Sequence, residues 1–167
     1  MLKKFLAAIM IALPALGFAQ AKFGVVNTQP IIEAMPEMKD ATAQLETASK
    51  KYQDEYNNFT EEYNKKVAEV QELQKDSSTP ELILQRKVKD IQDLQTRIEE
   101  FRQTVDRDMQ RQQEQLFAPI QQKVSEAITA VGKEGGYTFI FESMVPVYVG
   151  ADVTDVTDLV KGKLGVK

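Results

Sequence analysis

The chain has 167 residues, 43% hydrophobic and 28% charged, with a formal net charge of −4, no Cys and no His. Those proportions are ordinary for a folded chain, and the acidic balance gives no footing for a nucleic-acid partner. The missing residue types exclude disulfides, thiol nucleophiles, thiolate or imidazole metal sites and the usual general base, so neither an enzyme nor a cofactor is expected.

The N-terminus has the form of a secretory leader. Lys3 and Lys4 precede an apolar run from Phe5 to Leu13, and Ala19-Gln20-Ala21 offers small residues for cleavage near Ala21 or after Ala19. The run is too short for a stable span, so no stable membrane insertion is expected. Losing Lys3 and Lys4 takes the 21 basic residues to 19 against 25 acidic, a net of −6.

Lys22 to Asn27 reads as a short strand at the mature start. Thr28 is then expected to cap a brief helix with Pro30 in its first turn, which Pro36 interrupts. From Glu37 or Met38 a long helix is predicted to about Lys75. Apolar residues fall at Ala41, Leu45, Ala48, Tyr52, Tyr56, Phe59, Tyr63, Val67, Val70 and Leu73, about 3.6 residues per step. The tip, residues 76–80, has turn composition, and Thr79-Pro80-Glu81 is expected to cap and restart a helix. Leu84, Val88, Ile91, Leu94, Ile98, Phe101, Val105 and Met109 continue the rhythm on the way back.

Pro119 is expected to kink or break that returning helix. Ile120, Val124, Ile128 and Val131 extend the stripe to Gly135-Gly136, a stop signal. Tyr137 to Glu142 is the most strand-like window, Pro146 to Val149 reads as a further strand, and Asp155 is the expected cap of a terminal helix through Val156, Leu159, Val160 and Leu164. Antiparallel arms would bring the two ends of the chain together, so one small sheet is expected from strands more than a hundred residues apart. The fold class is therefore mainly α with a small β body: a signal peptide at 1–21, a body from 22–38 and 119–167, and a coiled-coil helical hairpin at 39–118. So small a body invites self-association.

Candidate positions follow from this layout. Phe23, Val25, Val26, Phe139, Phe141, Val147 and Val149 are the expected core and subunit-contact residues of the body. Tyr52, Tyr56, Phe59, Tyr63, Phe101 and Met109 form the seam between the arms, with a share in contact to a partner open to them. Pro119 is either a hinge or a fixed kink. The adjacent acids Glu61-Glu62 and Glu99-Glu100 diverge by about 100° on a helix and read as solvated faces. Asp152, Asp155 and Asp158 resemble a calcium loop only superficially and read as caps.

These residues resemble the Skp/OmpH family of periplasmic chaperones. The likeness is carried by a leader followed at once by Phe23-Gly24-Val25-Val26-Asn27, by Ile31-Ile32-Glu33 with Pro36-Glu37-Met38-Lys39, by the charged hairpin, by Pro119-Ile120, by Gly136-Tyr137, and by Asp152 to Thr157. The resemblance implies a jellyfish-like homotrimer in the periplasm, an ATP-independent holdase that encloses unfolded outer-membrane proteins. The alternative reading is a structural or adaptor coiled coil of the cell envelope. The arms hold 13 basic and 17 acidic residues, a departure from the basic best-known member, so no anion-binding tip is assigned.

Overall fold

The first strand of the chain lies in the middle of its only sheet among the described residues. The computed structural model describes residues 21–167, so the expected leader falls, apart from Ala21, outside it. Strand β1 (Phe23–Val26) is flanked by β2 (Phe139–Glu142) and β3 (Thr154–Asp155), in the order β2-β1-β3. Both pairings are parallel, with Phe23 opposite Phe139, Val25 opposite Phe141 and Val25 opposite Asp155. Parallel neighbours require a crossover, and here the crossover is most of the chain. The sheet expected from the two chain ends is present, but not with the expected third member. Pro146 to Val149 is outside the sheet, with Val147 and Tyr148 fully or nearly exposed. Strand β1 has two edges, β2 and β3 occupy both, and Pro146 has no N–H to offer a ladder.

Helix α1 (Thr28–Ala34) starts one residue earlier than Thr28 as a cap would allow, because Asn27 holds the cap position and its Oδ1 accepts from the Gln29 N–H at 3.2 Å. It ends at Met35, whose extended backbone (ψ 131°) is the conformation a following proline imposes. Pro36 then opens α2 (Pro36–Lys75), where its missing N–H costs nothing. At the tip, Asp76 Oδ1 accepts from the backbone and hydroxyl of Ser78 at 2.9 and 2.6 Å. Helix α3 (Glu81–Gly135) starts with Pro80, not Thr79, at the cap position and has no side-chain cap there. Pro80 is itself extended (ψ 136°), which puts Thr79 one residue too far back to cap.

Helices α2 and α3 run antiparallel. Lys87 meets Glu69 at 2.6 Å, Gln95 meets Tyr63 at 3.0 Å, Tyr52 meets Asp108 at 2.8 Å, and Lys123 meets Glu37 at 2.6 Å. At 40 and 55 residues, they span roughly 60 and 80 Å. Of the kink or break expected at Pro119, the break does not occur: α3 is helical on both sides of it. Ile120 and Val124, each 3% exposed, begin the most deeply packed stretch of the helix, and that burial offsets the lost hydrogen bond. Gly136 (φ 64°) closes α3 with its N–H returned to the carbonyls of Gly132 and Lys133, a conformation that suits glycine.

Helix α4 (Thr157–Leu164) has Val156 at its cap position, yet Asp155 Oδ1 still accepts from the Thr157 N–H at 2.9 Å. The expected capping role is thus performed from inside β3. One cluster joins these parts: Val26, Ile31, Met35, Ala41, Ile120, Val124, Ala127, Val131, Val156 and Val160. It lies where the helices meet the sheet. In the outer arm only Val70 and Leu94 are buried, because two helices can each cover only one side of the other.

Candidate functional site

Two surfaces collect the residues singled out by the sequence, one along the arm and one on the outer face of the sheet. On the arm, the 3.6-residue rhythm turns Tyr52, Tyr56, Phe59 and Tyr63 of α2 toward α3, where all four are half-buried. Phe101 packs on Phe59 with ring centroids 5.2 Å apart and meets Tyr52 edge-on at 6.3 Å. The Arg97 guanidinium sits over the Phe59 ring at 5.5 Å, a favourable placement of cation on π-face.

Two tyrosine hydroxyls are used across the seam. Tyr52 donates to Asp108 Oδ2, and Tyr63 accepts from the Gln95 amide. The Asp108 carboxylate pushes the Tyr52 phenol above its ordinary value, with partial burial adding to the shift. Around the Tyr52 contact the helices leave an open groove of about 370 Å³, lined by Tyr52, Tyr56, Phe101, Val105 and Met109 with Arg102 and Asp106 on its rim. The structure thus brings four of the six seam residues around one groove. Phe59 touches it through Phe101, and Tyr63 lies farther toward the tip.

On the sheet, period-two alternation divides the strands between faces. Val26 and Ile140 join the helical core, whereas Phe23, Phe139 and Phe141 form a row on the other side, stacked at 6.3 and 5.8 Å. These rings are 37, 57 and 41% exposed. Val25 and Val26, expected among the subunit-contact residues, are buried within their own chain at 8 and 3%. Val147 and Val149 are exposed, and Val149 lines a groove of about 240 Å³ with Phe23, Phe141, Val145, Pro146 and Tyr148. Met144, Val145 and Tyr148, at 88, 68 and 84% exposure, enlarge this apolar surface beyond the expected set. The signal was available in the run Met144-Val145-Pro146-Val147-Tyr148-Val149, which has no charged residue.

Pro119 is exposed and borders a third gap, about 300 Å³, at the foot of the arm. Of the three spaced acids, Asp155 is occupied by Thr157. Among the described residues no helix is long and apolar enough to cross a membrane.

The family model for OmpH-like outer membrane proteins matches residues 22–164. The chain belongs to the OmpH-like family. The resemblance read from Phe23 to Asn27, Pro36 to Lys39 and Asp152 to Thr157 is therefore correct. An OmpH-like crystal structure from Caulobacter crescentus, described as a candidate outer membrane chaperone, matches with a TM-score of 0.72 over 87% of this chain and 85% of that one. At 12% identity that likeness concerns the fold. No curated protein matches by sequence. In this OmpH-like chain the match runs through both candidate surfaces, from the start of β1 to the last residue of α4.

Proposed function

We propose that the chain is an ATP-independent holdase of the periplasm, acting as a homotrimer that encloses unfolded outer-membrane proteins and keeps them from aggregating. Family membership supports a chaperone in general terms. The observation that carries the finer reading is the division of labour between the two surfaces. The base presents stacked, exposed Phe23, Phe139 and Phe141, a patch that a lone soluble chain has reason to cover. The arm presents charged outer faces and an apolar seam that is only half-closed. Such an arm offers many weak contacts and no deep pocket, which suits a client that must be held and then released. Arms mounted on a common base would surround a volume, and Pro119 would serve as the pivot that adjusts it.

The deciding experiment dilutes a urea-unfolded β-barrel protein into buffer with and without the mature chain and follows light scattering. Suppression is expected at one trimer per client. A chain that sediments as a trimer but leaves aggregation unchanged would favour the adaptor coiled coil instead. A monomer would remove the enclosing architecture altogether. For the pivot, Pro119→Ala should narrow the spread of arm positions; an unchanged spread makes Pro119 a fixed kink.

A further inference from the structure

The foot of the arm has a proline on each helix, at levels a little over one turn apart. Pro119 has no N–H, so the Gln115 carbonyl loses its helical donor. Nearer the base on the other helix, the α1–α2 break at Met35 and Pro36 leaves α2 to begin without a side-chain cap. One ion pair ties the two helices between these levels: Lys123 Nζ to Glu37 Oε1 at 2.6 Å. Glu37 lies one residue after Pro36, and Lys123 one turn after Pro119.

The joint is also lopsided. Met38, Ala41, Leu116, Phe117 and Ile120 pack into the core. Ala41, Leu116 and Ile120 also floor an open gap of about 300 Å³, whose rim is Glu37, Asp40, Gln44, Gln115, Pro119 and Lys123.

We infer that Glu37 and Lys123 form an ionic clasp across a joint made by Pro36 and Pro119, and that this clasp sets the resting angle of the arm on its base. The inference rests on the pivot role given above to Pro119. Hydrogen bonding to the Lys123 ammonium, helped by the Glu37 backbone N–H, holds the Glu37 carboxyl below its ordinary value. Asp40 is the other charged group bordering the gap and sets no competing bond to Lys123 among the contacts of the described residues. Both partners are partly exposed, at 54 and 41% for Lys123 and Glu37, and exposed pairs are weak and screened by salt. Such a clasp biases the arm without locking it.

The absence of Cys permits spin labels at Gln103→Cys on the arm and Asp158→Cys on α4, both exposed positions. Labelled mature chain is diluted with unlabelled chain, so that each assembly carries one labelled copy, and the distance distribution is measured by pulsed dipolar spectroscopy. Raising salt from about 0.01 to about 1 M, which shortens the screening length from about 30 to about 3 Å, is expected to raise the displaced population by about two-fold. Glu37→Gln and Lys123→Gln should each show the high-salt distribution at every salt concentration. The exchanged pair, Glu37→Lys with Lys123→Glu, should recover the salt response, with helix content unchanged by circular dichroism. A wild-type distribution indifferent to salt, or a salt response that survives in Glu37→Gln, overturns the clasp. Pro119→Ala is the separate control: an unchanged spread there removes the pivot, whereas a narrowed spread with inert clasp variants removes the clasp alone.

Discussion

Tyr52 and Asp108, 56 residues apart in sequence, join across the arm through a 2.8 Å hydrogen bond from the phenol to Oδ2, while Arg111 engages the other oxygen of the same carboxylate. The seam here is stapled by polar groups where the aromatic packing leaves a groove. Tyr52→Phe keeps the ring and removes the bond, with an expected loss of about 1 kcal/mol from arm stability. Hydrogen exchange should locate the loss in amides of the arm around Tyr52 and Asp108, leaving those of Val124 to Val131 unchanged.

The same bond predicts an alkaline response. Asp108 raises the Tyr52 phenol above the ordinary 10.0, so the folded state favours the protonated form. Its contribution is complete below that ordinary value and is lost as pH rises through the raised one. Arm amides should lose protection in this alkaline window, and Tyr52→Phe should flatten that part of the profile.

Glu37 gives the opposite sign. Its carboxyl is lowered below the ordinary 4.5, so its contribution is present above that value and disappears as pH falls through the lowered one. Thermal melts across the acid range should show a slope that Lys123→Gln reduces.

Leu94 is 2% exposed and, with Val70, is one of two buried residues in the outer arm. Leu94→Ala should destabilise the arm by about 2–4 kcal/mol. With so little burial elsewhere along it, the arm should melt ahead of the base, splitting one thermal transition into two. Val88, 38% exposed on the same sequence stripe, should tolerate Ser with little change.

Phe139→Asp places a charge in the exposed phenylalanine row, where it displaces no buried group. Monomer fold should persist by circular dichroism, and sedimentation should report loss of self-association. A variant that still sediments as a trimer would move the subunit contact elsewhere.

The long helices were legible because a 3.6-residue rhythm sustained over 32 residues leaves no competing period. The pairing of β1 with β2 was legible because two antiparallel arms must bring their feet together. Boundaries were less so: Asn27 took the cap that Thr28 was expected to hold, and Pro80 held the position after Thr79. At Pro119 the local rule allowed a kink or a break, and packing of Ile120 and Val124, which no local rule contains, keeps the helix unbroken. Pro146 to Val149 has strand composition, but Thr154 and Asp155, a pair too short to read as a strand, took the remaining edge. At the candidate sites, the aromatic row Tyr52 to Tyr63 could be placed on one face, but the groove between Tyr52 and Met109 depends on how closely the two helices approach. Val25 and Val26 are neighbours on one strand, so alternation puts them on opposite faces: Val26 joins the helical core and Val25 shares the face of Phe23.

The central position of β1 has a bearing on how the chain is made. Phe23 to Val26 is the first of the described strands to be synthesised, yet its neighbours are Phe139 to Glu142 and Thr154–Asp155, and Asn27 bonds to Thr157 across 130 residues. The earliest part of the sheet therefore waits for nearly the last. The helical pair can zip as it emerges, but the base closes only after residue 157 has arrived. A chain that stops short of residue 157 would consequently display an arm with an unclosed root, and the sheet acts as a seal set only on copies that extend past it.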